Sequence, residues 1–398
     1  MNTTRLDIAV IGAGPVGLAL ALHAARLLPH AQITVFDARP EDRDLSSDPR
    51  TLALSLGSVQ FLQQLGAWPA NAAAAITHVH VSQMPPTLDA AWGPAEVNLS
   101  AHDIKVPQLG AVLSYGALLA PLQRAWEAAV SADPQRLRLR LGTPVQAIKN
   151  TPEGVELDAG IAEHFDLAVV AEGGVFAEQT RKAVVADYGQ TAWVGQVALQ
   201  GANPGWAFER FTRHGPAALL PLPLPPLADG LTRAALVWCV PRNDDPVLPL
   251  NDAQRLAVLR TIFPPQAGQL VGVSPLKSFA LGLNAERTLV SGRVVRIGNA
   301  AQTLHPVAGQ GLNLGLRDAH ELVAVLRWAE HVDSALKRAD WARAADRWSV
   351  IAATDFLARS FTWKLPGAAT ARGLGLAALQ ALPPFKGWLA RRMMFGSR

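Results

Sequence analysis

The sequence predicts an α/β fold in which a Rossmann-like parallel sheet carries an inserted antiparallel sheet and is followed by C-terminal helices. Residues 6–12 form a continuous apolar run, typical of a strand buried in a parallel sheet, and a glycine-rich turn and an Ala/Leu-rich helix follow it. Several short strand candidates, broken by prolines, fill residues 190–280, which is the pattern of an antiparallel sheet. Residues 334–398 are mostly helical in pattern.

These patterns divide the chain into a discontinuous first domain, an inserted sheet domain and a helical tail. The run Thr77-His78-Val79-His80-Val81 alternates with period two, as a half-exposed strand does, and marks the first change of character. The predicted segments are 1–75, 101–182 and 281–330 for the first domain, 76–100 and 183–280 for the inserted sheet domain, and 331–398 for the C-terminal helical region.

Composition excludes several classes of function. The 398 residues are 49% apolar and carry a net charge of +4 without a long basic run, so the chain is globular and nucleic acid is not an expected partner. Cys239 is the only cysteine, which excludes an intramolecular disulfide and a cysteine metal cluster and predicts a buried, inert thiol. No apolar run reaches the roughly 18–20 residues of a membrane-spanning helix, and a secretion signal is not expected from the first residues. The expected compartment is the cytoplasm.

The run Gly12-Ala13-Gly14-Pro15-Val16-Gly17 is a G-x-G-x-x-G motif in its full context. A buried strand precedes it, a helix follows it, and the next strand, residues 32–37, ends in an acid. A motif of this kind without such context is a weak signal, whereas the complete βαβ setting predicts a dinucleotide site. The alternative is a structural glycine turn without a ligand.

Each position of this motif has a physical role. Gly12 makes the tight turn, Gly14 lets the backbone approach a pyrophosphate, and Gly17 lets the helix pack on the strand. Pro15 lies in the same turn, where the free N–H groups and positive dipole of the helix N-terminus attract phosphates. Asp37 is predicted to accept hydrogen bonds from the ribose hydroxyls of an adenosine.

A second glycine-rich loop follows the buried strand that ends at Gly298. It continues to Asn313, in the first turn of another helix. A reduced flavin develops negative charge near N1 and C2=O, and backbone N–H groups at such a helix N-terminus would stabilise that charge. The dinucleotide is therefore predicted to be FAD.

With both motifs considered, the chain resembles the group A flavin-dependent aromatic hydroxylases, whose fold is that of p-hydroxybenzoate hydroxylase. Within them it is most similar to the ubiquinone-biosynthesis hydroxylases, the branch that acts as 2-polyprenyl-6-methoxyphenol hydroxylase. The resemblance covers roughly residues 5–330, and its most specific segment is Gly298–Asp318. Residues 49–54, 207–216 and 236–239 also fit this branch.

The resemblance implies FAD as the cofactor and NAD(P)H as a co-substrate. Arg50 matches an arginine beside the cofactor, Gly298 and Asn299 match a Gly-Asp pair that binds the ribitol, and Pro306 matches a proline beside the flavin ring. The run 308–313 matches the loop against that ring. The predicted cofactor-binding positions are Gly12, Gly14, Pro15, Gly17, Asp37, Arg50, Glu172, Gly298, Asn299, Ala308, Gly309, Gln310, Gly311, Leu312 and Asn313.

Three positions depart from the family pattern. In the middle motif, residues 171–181, the usual Asp-Gly acid is Glu172 and the arginine that follows is displaced to Arg181. That motif is associated with both FAD and NAD(P)H. Asn299 stands where the family has an acid, and the lost charge-assisted hydrogen bond costs on the order of 1 kcal/mol. A Glu-Asn pair is replaced around Tyr115, for which a packing role is favoured.

His305 and Pro306, both in the flavin loop, are the candidate catalytic residues. Histidine has a pKa suited to deprotonating a phenol, while the alternative for His305 is a hydrogen bond that stabilises the loop. His78 and His80 share one face of a strand, but no third ligand accompanies them, so no metal site is predicted. The basic, aromatic tail, residues 374–395, either lies on a membrane surface or packs on its own domain, and packing is favoured.

The resemblance implies a FAD-dependent monooxygenase that hydroxylates a polyprenylated phenol in ubiquinone biosynthesis, using NAD(P)H and O2 through a flavin C4a-hydroperoxide. Two alternatives stay open. One is a flavin dehydrogenase or oxidase, and the other is a flavin-binding but weakly catalytic subunit of a quinone-biosynthesis assembly. Expected partners are the prenylated phenol, other quinone-biosynthesis proteins and, through the tail, the inner face of a membrane.

Overall fold

The computed structural model describes residues 6–84, 95–173, 182–223, 230–360 and 367–396. These ranges contain two large sheets, two three-stranded sheets and a set of helices. The strands are β1 (Asp7–Ile11), β2 (Gln32–Phe36), β3 (Thr51–Ser55), β4 (Ala74–Ile76), β5 (His78–Gln83), β6 (Glu96–Ser100), β7 (Gly110–Ser114), β8 (Leu137–Arg140), β9 (Ala147–Asn150), β10 (Val155–Asp158), β11 (Ala162–Phe165), β12 (Leu167–Val170), β13 (Val184–Gln200), β14 (Trp206–Thr212), β15 (Gly215–Pro221), β16 (Thr232–Pro241), β17 (Gln269–Val273), β18 (Lys277–Ala285), β19 (Val290–Ser291), β20 (Val294–Arg296) and β21 (Gln302–Thr303). The α-helices are α1 (Pro15–Leu27), α2 (Leu56–Gln64), α3 (Tyr115–Ala132), α4 (Asp252–Ile262), α5 (Gln310–Arg327), α6 (Val332–Ser360), α7 (Ala368–Ala381) and α8 (Pro383–Phe395).

The first large sheet is mainly parallel, with the strand order β19-β20-β12-β1-β2-β8. Strands β20, β12, β1, β2 and β8 run parallel, and β19 pairs with β20 in the antiparallel sense. Helices α1, α3 and α5 cover one face, and the small sheet β11-β10-β9 covers the other. Strands enclosed on both faces need apolar residues at every position, which explains the continuous apolar runs. The predicted Rossmann-like layer is confirmed.

The second large sheet combines strands from two separate parts of the chain. Its order is β21-β18-β13-β16-β15-β14-β5-β6, and β17 also pairs with β13. Most pairs are antiparallel, while β5 lies parallel to β14. Helix α4 packs on one face through Leu259 and Ile262. The early strands β5 and β6 therefore join the later strands in one antiparallel-rich sheet, as the inserted-sheet prediction requires.

The C-terminal helices pack on the rest of the chain. Ala390 and Met394 of α8 are 4% exposed and belong to a cluster with Leu56 and Ile76, and Lys386 donates a hydrogen bond of 2.8 Å to the carbonyl oxygen of Asn98. The tail thus packs on its own chain, as the sequence analysis favoured. Within the described ranges, no helix combines the length and the apolar character needed to cross a bilayer.

A buried network of charges joins α5, α6 and α8. Arg343 donates to Asp318 and to Asp346, each at 2.7 Å, and the two aspartates are 1% exposed. Arg317 contacts Asp346 at 3.4 Å and donates to the carbonyl oxygen of Met393 at 2.5 Å. Because buried charges are tolerated only when they are paired and hydrogen-bonded, this network links the tail to the helix that follows the late glycine-rich loop.

Candidate active site

Four parallel strands bring the predicted cofactor positions to one edge of the first sheet. Strand β1 ends just before Gly12, β2 before Asp37, β12 just before the segment that holds Glu172, and β20 shortly before Gly298. The N–H of Ala13 donates to Asp37 Oδ2 at 2.6 Å, which ties two of these strand ends together. In open α/β sheets, ligands bind at the carboxyl ends of the strands, so this edge is the expected place for a dinucleotide.

The geometry of the first turn accounts for each of its glycines. Gly12 has a φ of +107°, and a Cβ there would lie 2.9 Å from the carbonyl carbon of Ala171. A Cβ at Gly17 would lie 2.0 Å from the carbonyl oxygen of Gly12, which no side chain tolerates. A Cβ at Gly14 would meet only the Tyr115 hydroxyl, at 3.6 Å. Gly12 and Gly17 therefore serve the turn and the helix packing, and Gly14 keeps its backbone open to a ligand.

A donor and an acceptor lie side by side at the end of β2. Asp37 accepts hydrogen bonds from the backbone N–H groups of Ala13, at 2.6 Å, and of Arg39, at 2.7 Å. The Arg39 side chain contacts Gln123 Oε1 at 3.3 Å, and its buried Nε has no partner among the described residues. An acid with spare lone pairs beside an unused guanidinium N–H fits the hydroxyls and phosphates of a dinucleotide. Arg39 was missed in the sequence, although a basic residue two positions after the strand-end acid was a visible signal.

Arg50 and Tyr115 form a stacked pair beside the first turn. The Arg50 guanidinium lies 4.2 Å from the centre of the Tyr115 ring, and its Nε donates to Asp48 at 3.0 Å. The Asp48 hydrogen bond raises the pKa of Arg50, and burial raises the pKa of Tyr115. Tyr115 therefore packs against Arg50, as the sequence analysis favoured. Its hydroxyl lies near Gly14.

Glu172 lies beside the first turn, and residues 174–181 of the middle motif fall outside the described residues. A Cβ at Gly12 would lie 2.9 Å from the backbone nitrogen of Glu172. Partial burial and the negative charge of Asp37 raise the pKa of the Glu172 carboxyl. The displaced arginine, Arg181, belongs to residues 174–181, which the structure does not describe.

The second glycine-rich loop depends on two left-handed glycines. Gly298 has a φ of +59° and Gly309 a φ of +58°, a region that residues with a Cβ rarely adopt. Gly315 of α5 packs against the first of them, since a Cβ at Gly315 would lie 2.8 Å from Gly298 Cα. Helix α5 can therefore begin close to α1 and direct its N-terminus at the same sheet edge.

The Asn313 side chain fixes this loop to the neighbouring strand and helix. Its Oδ1 accepts from the Ser55 backbone at 2.8 Å and from Ser58 Oγ at 2.7 Å. Its Nδ2 donates to the carbonyl oxygens of Ala53, at 3.1 Å, and Gly309, at 2.8 Å. All four hydrogen-bonding positions of the amide are occupied, so the Asn313 side chain fixes the shape of the loop.

Both ring nitrogens of His305 are engaged. Nε2 lies 3.0 Å from Gln190 Oε1, and Nδ1 accepts from the Val307 backbone at 3.1 Å. The side chain is 1% exposed, and burial lowers its pKa to about 4. The ring is therefore neutral with its proton on Nε2. This arrangement supports the loop-stabilising alternative for His305, whereas a base would need a free nitrogen.

A cavity of about 370 Å³ lies between the late loop, the second sheet and the tail helices. Pro306, Val307 and Gly309 form its wall on the loop side. Apolar side chains of β5, β6, β14, β15 and β16 form the opposite wall, and α7 and α8 contribute leucines and methionines. Of the described residues lining this cavity, Glu209 carries the one carboxyl group. The tail's part in this wall had no local signal in the sequence.

His78 and His80 lie in packed surroundings, and Cys239 is buried. His78 stacks on Trp206 with 4.8 Å between ring centres, and His80 lies 3.0 Å from Glu96. Cys239 is 1% exposed, and burial raises the pKa of its thiol, which confirms the predicted inert thiol.

A dinucleotide edge, a second glycine-rich loop and an apolar cavity behind that loop define the class of flavin-dependent hydroxylases. Solved structures share the fold. HpxO of Klebsiella pneumoniae, complexed with FAD and uric acid, superposes with a TM-score of 0.72 at 17% identity, over 99% of this chain and 98% of that one. PqsL of Pseudomonas aeruginosa, described as a probable FAD-dependent monooxygenase, gives 0.71 at 17% identity, over 94% and 99%.

Sequence comparison assigns the chain to one family within this class. A family profile described as a FAD binding domain matches residues 249–354. The 3-demethoxyubiquinol 3-hydroxylase of Escherichia coli is 31% identical over 406 residues, 96% of each chain. The ubiquinone hydroxylase UbiL of Rhodospirillum rubrum is 29% identical over 98% of this chain and 89% of its own. The chain belongs to the ubiquinone hydroxylase family of FAD-dependent monooxygenases, which confirms the predicted fold, cofactor and resemblance.

Proposed function

We propose that this protein hydroxylates a polyprenylated phenol in ubiquinone biosynthesis, with FAD, NAD(P)H and O2. The observation that carries the proposal is the apolar cavity that reaches from Pro306 and Val307 to the tail helices. A phenol with a prenyl chain is a mostly apolar ligand with one polar group, and the lining matches that composition. The names of the relatives, ubiquinone hydroxylases, support the same substrate class.

The residues at the site would bind the cofactor and exclude water. Bound FAD would supply the redox chemistry, by which electrons of NAD(P)H and one oxygen atom of O2 are used to hydroxylate an aromatic ring. The first turn with Gly14, Asp37 and Arg39 would bind the ADP half, and the loop with Gly309 would contact the ring with backbone N–H groups. The apolar walls would keep water from the reacting atoms, because water diverts such chemistry to hydrogen peroxide.

Filling the cavity tests this proposal directly. Ala218 lies on the cavity wall in β15, so Ala218→Phe is expected to lower the stimulation of NAD(P)H consumption by 2-geranylphenol at least about ten-fold. The amount of bound FAD should not change, because Ala218 lies outside the cofactor positions.

Two experiments on the wild-type protein test the reaction itself. Oxygen from labelled O2 should appear in the product of the wild-type protein. The quinone should also return in a hydroxylase-deficient strain that carries the wild-type gene.

Three results would count against the proposal. Colourless protein that takes up no added FAD would remove its basis. A stable product without labelled oxygen would favour a flavin dehydrogenase or oxidase. Normal FAD content without turnover or rescue would favour the weakly catalytic subunit.

We also propose that the outer face of the tail helices contacts an anionic membrane. Leu382, just before α8, is 55% exposed, and Phe385 and Trp388 of α8 are 52% and 56% exposed. Arg391 is also exposed on α8. The opposite face of α8 lines the cavity through Ala390 and Met394. Aromatic side chains with basic neighbours bind the interface of anionic bilayers, where a polyprenylated substrate also resides.

Vesicle sedimentation tests the membrane contact. Phe385→Ser/Trp388→Ser is expected to weaken binding to phosphatidylglycerol-containing vesicles about ten-fold, since two apolar anchors are lost. Trp341→Ser, at an 84% exposed tryptophan of α6, is the matched control and should bind like the wild type. If the wild-type protein does not bind these vesicles, the proposal is wrong. The exposed face would then be a candidate contact for another quinone-biosynthesis protein.

A further inference from the structure

Glu209 interrupts an apolar row of the second sheet. It lies in β14, opposite Val81 of β5 and Ala218 of β15. The row continues to Val97 of β6 on one side and to Val237 of β16 on the other. All five residues line the cavity, so the register places one carboxyl among four small apolar side chains.

The neighbouring arginine does not neutralise this carboxyl. Successive side chains of a strand point to opposite faces, and Arg210 accordingly bonds on the other side of the sheet, to Ser82 Oγ at 2.8 Å and to the carbonyl oxygen of Ile262 at 3.0 Å. Among the described residues, none donates a hydrogen bond to the Glu209 carboxyl. Burial raises its pKa to about 7. A carboxyl that faces an apolar cavity without a partner is costly, and such groups are concentrated at functional sites.

We infer that Glu209 accepts the hydrogen bond of the substrate's phenolic hydroxyl and takes its proton during hydroxylation. The inference rests on the proposed function and deepens it. In this step the phenol O–H bond breaks, its electron pair stays on the phenol oxygen, and the proton joins a carboxylate oxygen of Glu209. The ring becomes more electron-rich and therefore more nucleophilic. After oxygen transfer the ring hydrogen leaves as a proton, which balances the proton taken up when the second oxygen atom of O2 is released as water. Glu209 returns its own proton to the phenol oxygen.

This assignment makes phenol binding depend on pH in a defined direction. Below about pH 7 Glu209 is protonated and offers a weaker acceptor, whereas above that pH the carboxylate accepts a charge-assisted hydrogen bond. An alkylphenol keeps its own proton throughout this range, because phenols titrate near pH 10. Binding should therefore tighten as the pH rises through about 7.

The other ionisable groups near the cavity do not take the place of Glu209 as an acceptor that titrates near neutral pH. The Cys239 thiol lines the same cavity, but burial raises its pKa further above neutrality, and the pKa of His305 is about 4. His80 lies on the opposite face of β5 with Glu96 at 3.0 Å. On the tail helices, Asp355 pairs with Arg359, and Arg372, Lys386 and Arg391 donate to the carbonyl oxygens of Ser360, Asn98 and Ile104.

The test measures binding to the oxidised holoenzyme without NAD(P)H, so it does not depend on turnover. 2-Geranylphenol and its methyl ether are titrated at about pH 6 and about pH 8, and the change of the flavin spectrum gives Kd. The wild type should bind the phenol about ten-fold more tightly at the higher pH, the size expected of a charge-assisted hydrogen bond. Glu209→Gln should bind it with one weak Kd at both pH values, and the ether should bind without a pH dependence to either protein.

Two controls separate the possible outcomes. His80→Gln should keep the wild-type pH dependence, because His80 faces away from the cavity. Glu209→Gln removes a buried charge and keeps the volume, so the variant is expected to fold. A pH dependence that persists in Glu209→Gln, or that the ether shares, overturns the inference and leaves the proposed function intact. Failure of both ligands to bind the wild type overturns the proposed function and the inference together.

Discussion

Gly17→Ala is expected to yield protein without FAD and with a free energy of unfolding lower by at least about 3 kcal/mol. The added Cβ would lie 2.0 Å from the carbonyl oxygen of Gly12 and 3.3 Å from the Cβ of Ala171. Neither contact can relax by a side-chain rotation, since the first is to backbone. Helix α1 must move away from β1, and the turn that faces the pyrophosphate moves with it.

The measurement is the flavin absorbance per protein, combined with urea unfolding. Gly375→Ala is the matched control, because Gly375 is also helical and has no atom within 4 Å of an added Cβ. Alanine there should be neutral or stabilise the helix by up to about 1 kcal/mol. If Gly17→Ala purified yellow with an unchanged unfolding midpoint, the assigned contact between helix and strand would be wrong.

Arg343→Met is expected to destabilise the protein by about 3–5 kcal/mol. The substitution leaves Asp318 and Asp346, both 1% exposed, without their main cation. Arg317 contacts Asp346 at the longer distance of 3.4 Å and cannot replace it. The loss should extend to the tail, because Arg317 also bonds to the Met393 carbonyl oxygen in α8.

Urea unfolding of the holoenzyme checks this value. Arg359→Met, in the same helix, is the control: Arg359 pairs with Asp355 at 2.9 Å, but its side chain is 48% exposed. An exposed pair of this kind contributes about 0–1 kcal/mol, so the control should unfold almost like the wild type. If both variants lowered the free energy of unfolding equally, the buried network would stabilise the protein no more than a surface ion pair does.

Local sequence patterns were sufficient to predict the edge of the sheet that carries the candidate cofactor site. The apolar run before Gly12, the glycine spacing and the acid at Asp37 are properties of one βαβ unit, and the late loop from Gly298 is a second local unit. Their meeting follows from the parallel sheet, in which all strand ends lie at one edge. The same locality explains why a helix was predicted after each glycine-rich turn, where α1 and α5 are observed.

The cavity and its polar group could not be predicted in this way. Glu209 and Arg210 are adjacent in sequence and resemble an exposed ion pair, and only the helices that arrive more than 150 residues later decide which of them is enclosed. His305 was a candidate base because its partner, Gln190, lies far away in β13. The hydrogen bonds of Asn313 likewise include partners at Ser55 and Ser58, which are distant in sequence and lie near Asn313 only in the folded chain.

The pairing of early and late segments has a consequence for synthesis of the protein. Strand β1 emerges from the ribosome long before β20, and β5 long before β14, yet each pair lines the same site. The cofactor edge is complete only after Gly298 and α5 have been made, and the cavity wall only after α8. The cavity can therefore close only after synthesis of the chain is nearly complete, whereas the cofactor edge can form earlier. Until α8 leaves the ribosome the apolar wall of the cavity stays exposed, and chaperones are expected to protect the chain at that stage.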